Sequence, residues 1–275
     1  MAAVLVGLFG TFIGSFLNVV AYRVPLKRSI VSPPSACPTC GARIKGYDNI
    51  PVLSWLLLRG KCRGCSSAIS VRYPLVELGT AVFFGVVAWA FLPAVSDAIQ
   101  TQAGPSIIAA VLVLVAFLYL AAVSVALALI DLDTHTLPNA IVLPSYVVGA
   151  ALLGAAAILG GDYGALLWAG IGMAALWIAY LLMALAYPGG MGFGDVKLAG
   201  VLGLFLGYLG WGQLVVGAFS AFLLGGLFSI VLLVTRKANR KSGIPFGPWM
   251  LGGAWVGALL GEPILHGYLT VFGLA

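Results

Sequence analysis

Residues 106–130 read SIIAAVLVLVAFLYLAAVSVALALI, a run of 25 residues without a charged side chain. A helix needs roughly 20 apolar residues to cross the hydrocarbon layer of a bilayer, so this run is read as a membrane span. Seven further segments fit the same length: about 2–22, 74–92, 139–160, 164–186, 196–210, 213–235 and 245–261. Those at 196–210 and 245–261 are short and Gly-rich, and their ends are the least sharply marked. Of the 275 residues, 62% are apolar and 8% charged. A soluble domain of this length carries roughly 70 charged residues, so a soluble globular fold is excluded. A signal peptide followed by a secreted domain is excluded as well, because apolar runs recur along the whole chain. The expected fold class is an all-α polytopic membrane protein of about eight transmembrane helices.

Charge sets the expected orientation. Nine of the 14 Lys and Arg fall between Arg23 and Arg72, Lys197 stands alone, and four lie between Arg236 and Lys241. These are alternate loops, which the positive-inside rule assigns to the cytoplasm. The opposite loops carry only Asp97, Asp162 and Glu262. Both termini are therefore expected outside, in a multi-pass membrane protein. The net charge of +6 is explained by topology and by attraction to anionic lipid, so nucleic acid is not an expected partner. Three parts follow: a first span at 1–22, a cytoplasmic loop domain at 23–73 and a membrane core at 74–275.

The loop holds all four cysteines, as Cys37-Pro-Thr-Cys40 and Cys62-Arg-Gly-Cys65. Two such knuckles complete a tetrahedral four-thiolate site. Disulfides are the alternative, disfavoured because a cytoplasmic loop keeps its thiols reduced; iron is the minor competitor to zinc. Arg43, Lys45, Lys61 and Arg63 would offset the negative charge of a metal bound to four thiolates. With no open coordination position, such a zinc is structural, and it supplies what a loop with so little core lacks.

Asp131, Asp133 and Asp195 are the carboxylates at the cytoplasmic ends of spans three to eight. Acids beside the hydrocarbon are costly and mark functional sites. Two that approach each other do not both ionise easily, and one then keeps its proton. Aspartic proteases use that state: one carboxylate activates water and the other polarises the scissile carbonyl. Asp195 follows Gly190-Met191-Gly192-Phe193-Gly194, and Gly192 and Gly194 would let a substrate backbone approach closely. Asp131 and Asp133, two residues apart, face different sides of a helix, so only one can meet Asp195. A proton-coupled transporter is as compatible with the pair alone as a protease is, and Asp195 alone also reads as a helix cap.

The ordered motifs resemble the type IV prepilin peptidases, the bifunctional leader peptidase and N-methyltransferase family. They run from Gly14-Ser15-Phe16-Leu17-Asn18 through both cysteine pairs, Asp48-Asn49-Ile50-Pro51, Arg72-Tyr73-Pro74-Leu75-Val76-Glu77 and Ile130-Asp131-Leu132-Asp133. Leu137-Pro138-Asn139, Gly192-Phe193-Gly194-Asp195-Val196-Lys197 and Ile244-Pro245-Phe246-Gly247-Pro248 complete the set. The resemblance implies a membrane aspartic protease that removes the leader of type IV prepilins or type II secretion pseudopilins at the cytoplasmic face. It implies Asp131 and Asp195 as the catalytic pair, the four cysteines as metal ligands, and S-adenosylmethionine as donor for methylating the new N-terminus.

No G-x-G-x-x-G follows a strand, and the loop is too small for a Rossmann-type methyltransferase. Asp48, Asn49 and Glu77 are the polar candidates for methyl transfer, and each also reads as a turn residue, a cap or a partner for a nearby cation. His135 and His266 read as bystanders. The alternatives are a proton-coupled transporter, whose acids usually sit at the bilayer midplane between repeats, and another GxGD intramembrane protease. The latter should show a late Pro-Ala-Leu string, where this chain has Pro245-Phe246-Gly247.

Overall fold

The computed structural model describes residues 1–102, 104–187, 189–235 and 244–274. The basic cluster from Arg236 to Lys241, used above to orient the chain, lies outside the described residues. Among the described residues, eight long helices form where the apolar runs predict them: α1 (Ala2–Arg23), α3 (Arg72–Gln100), α4 (Gly104–Thr134), α5 (Asn139–Gly160), α6 (Tyr163–Ala186), α7 (Phe193–Leu209), α8 (Trp211–Val234) and α9 (Gly247–Val271). The loop after α1 adds a short helix, α2 (Leu53–Leu57). Six of the described helices are long and apolar enough to cross a membrane. α7, at 17 residues, and α9, which carries Glu262 and Pro263, are not among the six.

Three helix ends differ from expectation. α3 continues through Pro93 to Gln100, and α9 continues through Pro263 to Val271. A proline removes one intrahelical hydrogen bond, and helices in membrane proteins accommodate that loss. α7 begins at Phe193 rather than Val196, which puts Asp195 inside its first turn.

The chain divides into two compact units, Met1–Ala94 with Leu118–Ala126, and Val95–Phe117 with the residues from Leu127 onward. In the first unit α1 lies against the backbone of α3. A Cβ at Gly10 would stand 3.0 Å from Ala81 Cα, and one at Gly14 would stand 2.8 Å from Glu77 Cα. Helices in lipid gain little from apolar burial against each other, and small residues that admit backbone contact supply the packing instead.

In the second unit α7 is the central helix. From Val196 to Gly207 every residue except Lys197 is buried. Gly203 and Gly207 of α7 lie on the backbone of α6 around Gly172, and α8 and α9 meet in the same way at Gly217 and Gly257. A helix enclosed by protein along this stretch presents no apolar surface to lipid there.

Candidate active site

Asp131 occupies the last turn of α4 and is 4% exposed. The helix ends just beyond it, where the backbone N–H of His135 donates to Asp131 O at 2.9 Å and His135 adopts a positive φ of 53°. Pro138 then caps α5 with its fixed φ of −67°. Asp133, two residues on from Asp131, is exposed. One carboxylate oxygen of Asp131, Oδ2, accepts the backbone N–H of Gly247 at 2.9 Å, within the buried interior. Gly247 opens α9, so this N–H is one of the four that a helix start leaves without an intrahelical acceptor.

Asp195 is half-buried in the first turn of α7. Its Oδ2 accepts the N–H of Gly192 at 3.1 Å, while its own N–H donates to Gly192 O at 3.0 Å. The residue therefore closes the turn that carries it as the third residue of α7, whose N-cap is Gly192, rather than as the N-cap considered from the sequence. Phe246, Phe222 and Tyr180 form an aromatic cluster behind the start of α9, with centroids 5.4 to 6.4 Å apart.

Leu137 joins the pieces. A Cβ at Gly194 would stand 3.0 Å from Leu137 Cβ, and one at Gly247 would stand 3.2 Å from Leu137 Cδ2. The missing side chain at Gly194 thus makes room for Leu137, whereas Gly192 is exposed. Lys197 ties α7 to α5: its Nζ donates to Asn139 Oδ1 at 3.0 Å, and Tyr146 donates its hydroxyl to Lys197 O at 2.6 Å.

The cysteines come together in the other unit. The loop makes the same turn twice: Cys37 N–H donates to Ala42 O at 2.9 Å and Gly41 N–H to Cys37 O at 2.9 Å, matched by Cys62 to Ser67 at 2.8 Å and Ser66 to Cys62 at 2.9 Å. The fourth residue after each leading cysteine has a positive φ, 70° at Gly41 and 58° at Ser66. All four Sγ atoms lie within 4.8 Å of one another and none is in a disulfide. A tetrahedral ion with metal–sulfur bonds of roughly 2.3 Å sets its sulfurs about 3.8 Å apart, and Cys37 Sγ and Cys65 Sγ are 3.8 Å apart. The donor set fits one tetrahedral metal ion.

Its electrostatics agree. The Cys40 N–H and the Ser67 hydroxyl lower the Cys37 thiol to about 5, and the Ser67 hydroxyl and backbone lower Cys65. Against the pull of the Ala42 backbone, Cys65 and Cys37 push Cys40 up to about 11. Thiols this close do not all ionise without a cation among them.

Two family models match the chain: the bacterial peptidase A24 N-terminal domain over residues 8–91, and the type IV leader peptidase family over residues 118–230. The prepilin leader peptidase/N-methyltransferase of Aeromonas salmonicida is 37% identical over 294 residues, covering 97% of this chain and 93% of that protein. The chain belongs to the type IV leader peptidase family. The relative of the same description from Pseudomonas aeruginosa is 36% identical, with 97% and 93% covered, and that from Neisseria gonorrhoeae 35% identical, with 93% and 89% covered. No solved structure matches the chain.

The matched type IV leader peptidase segment contains both Asp131 and Asp195, while Gly247 lies beyond its end. Of the three polar candidates in the loop, Asp48 is held by Arg63, whose Nε donates at 2.9 and 3.0 Å and whose Nη2 donates at 2.6 Å. That guanidinium holds the Asp48 carboxyl below its ordinary range. Glu77 is buried, and its Oε2 accepts the N–H of Val52 at 2.6 Å. Asn49 is exposed at the end of the turn Gly46–Asp48. The sequence offered Leu137 and Gly247 only as parts of the family resemblance; their contacts with the aspartate segments carried no signal of their own.

Proposed function

We propose that the chain is a prepilin leader peptidase whose catalytic pair is Asp131 and Asp195, and that it also methylates the N-terminus it exposes. The observation that carries the peptidase reading is a buried Asp131, fixed by the Gly247 N–H, with Leu137 packed against both Gly247 and Gly194, the neighbour of Asp195. In such a pair one carboxylate takes a proton from the attacking water while the other gives its proton to the carbonyl oxygen. The peptide C–N bond then breaks and the leaving amine is protonated. Exposed Asp133 stands outside this pair, and the glycines at 192 and 194 shape the turn on which Asp195 is held. Family membership and the absence of a visible repeat in the sequence argue against the transporter.

The positive-inside pattern supports eight spans, with α7 and α9 counted among them, and with the aspartates and the cysteine loop on the cytoplasmic side of a bacterial inner membrane. It supports the same division as above: a span at 1–22, a loop domain at 23–73 and a peptidase core at 74–275. The substrates are then type IV prepilins or pseudopilins, which present a basic leader on a hydrophobic helix. Zinc fits Cys37, Cys40, Cys62 and Cys65, where it would cross-link the two knuckles. Purified protein is expected to hold one zinc per chain by elemental analysis, and Cys62→Ser to lose it. Gly41→Val, which puts a β-branched residue in a left-handed conformation at a cost of about 1–2 kcal/mol, should speed zinc release to a chelator; Ser66→Gly should slow it.

S-adenosylmethionine is the expected methyl donor, and the described part of the loop contains no βαβ unit to hold it. Asp48 and Glu77 are both engaged by the protein itself, so the structure offers no ready donor site among these candidates. The function is tested by mass spectrometry of a prepilin incubated with the protein and S-adenosylmethionine. Loss of the leader and a gain of about 14 Da, one methyl group, are expected; an intact prepilin would overturn the peptidase.

A further inference from the structure

The five-residue helix α2 turns three leucines outward. Leu53, Leu56 and Leu57 are 48%, 57% and 74% exposed, and Ile50 just before them is 42% exposed. The loop exposes other apolar side chains too, Val31 and Tyr47 among them, but the cluster on α2 is tied to a membrane-length helix, and that tie says what covers it. Val52, the residue before α2, takes a φ of 62° and ψ of −52°, and Leu53 N–H donates back to Pro51 O at 2.6 Å. This is a tight three-residue turn that a valine adopts only under constraint. The constraint is Glu77, whose Oε2 accepts the Val52 N–H at 2.6 Å.

Glu77 is five residues into α3, one of the six membrane-length helices. At 1.5 Å per residue it lies about 7.5 Å along the helix from Arg72. The headgroup layer on each side of a bilayer is about 5–8 Å deep. With charged Arg72 taken as the water-side limit of the span, the start of α2 is pinned to α3 near the depth where headgroups give way to acyl chains. Leu75 and Leu78, either side of Glu77 in α3, are exposed apolar residues at the same level. Ser54 locks the segment from below: it donates to Tyr47 O at 3.0 Å and accepts from Ile50 N–H at 3.0 Å. The Trp55 Nε1–H donates to Ile69 O at 3.1 Å. Arg59 and Lys61 follow α2 directly, both exposed, and suit an anionic headgroup layer.

We propose that α2 is an interfacial helix, with Leu53, Leu56 and Leu57 inserted among the lipids of the leaflet that α3 enters and Glu77 as the anchor that sets its depth. Apolar side chains buried about 5–10 Å at this boundary, flanked by Lys or Arg, are how short amphipathic segments lie in a membrane surface. The cysteine loop is thereby held flat against the bilayer rather than free in solution.

The test places p-benzoylphenylalanine, one position at a time, at Leu56, Leu57 and Ile44 in the full chain. The protein is reconstituted in nanodiscs of phosphatidylethanolamine and phosphatidylglycerol, illuminated, and its peptides are analysed by mass spectrometry. Ile44 is an exposed apolar residue of the first cysteine knuckle and serves as the reference. Lipid adducts at 56 and 57, absent at 44, are expected. Glu77→Ala, which removes the anchor, should reduce the yield at 56 and 57, whereas Glu77→Gln, which keeps an acceptor oxygen, should restore it. Lipid adducts no more abundant at 56 and 57 than at 44 would overturn the proposal. So would protein–protein adducts at 56 and 57, which would identify the leucines as a contact with a second copy.

Discussion

Gly247→Ala is expected to lower the rate of leader removal about a hundredfold, the effect of displacing a catalytic group by about 1 Å. The added Cβ would stand 2.6 Å from Asp131 Oδ2, well inside contact distance, with Leu137 Cδ2 at 3.2 Å on another side. Asp131 is short, buried and at the end of its helix, so it can yield only by swinging off the Gly247 N–H. The loss should fall on kcat with KM little changed, because a displaced Asp131 removes an interaction made in the transition state. Gly252→Ala, on the same helix, is the control: its added methyl meets nothing nearer than Leu224 Cδ1 at 3.7 Å, and the rate should be unaltered. Equal rates for Gly247→Ala and wild type would remove Gly247 from the account.

Asp131→Asn and Asp195→Asn should each cost about a thousandfold or more, since positioned acid–base groups contribute about 10²–10⁴ each. An amide neither takes the proton from water nor supplies one to the carbonyl oxygen. The substitution is close to isosteric: the amide at position 131 keeps an oxygen for the Gly247 N–H, the amide at position 195 keeps one for the Gly192 N–H, and the fold should survive. Asp133 is the internal control. It shares the helix, the charge and the neighbourhood, yet it is exposed, and a surface substitution of this kind changes little.

The aspartates were legible because their signals are local. A carboxylate closing an uncharged run of 25 residues stands out by cost; helical periodicity puts Asp131 and Asp133 on different sides, and the family resemblance singled out Asp131. The cysteine pairs were legible for the same reason, since spacing within each knuckle dictates the turn. Gly247 was not, because its N–H reaches an acceptor 116 residues earlier in the chain and no pattern in Ile244–Pro248 encodes that partner. Leu137 was hidden similarly: a leucine before a proline predicts an extended residue, not a wedge between Gly194 and Gly247. α2 escaped because five residues are too few to show a period, and because the turn at Val52 depends on Glu77 rather than on local preference. The shortness of α7 was legible in the run at 196–210, but its burial on all sides was not. Hydropathy marks a run as apolar without distinguishing lipid from protein as its surroundings.

The most direct measurement is the rate of leader removal from one prepilin by wild-type protein and by Asp131→Asn, Asp133→Asn and Asp195→Asn, each reconstituted in bilayers and followed by mass spectrometry. Methylation of a synthetic peptide that already has the mature N-terminus, measured on the same preparations, reports whether each variant is folded. The account predicts that cleavage disappears with the substitutions at 131 and 195, persists with that at 133, and that methylation is retained in all three. Cleavage surviving in Asp131→Asn or Asp195→Asn, or lost in Asp133→Asn while methylation continues, would contradict it.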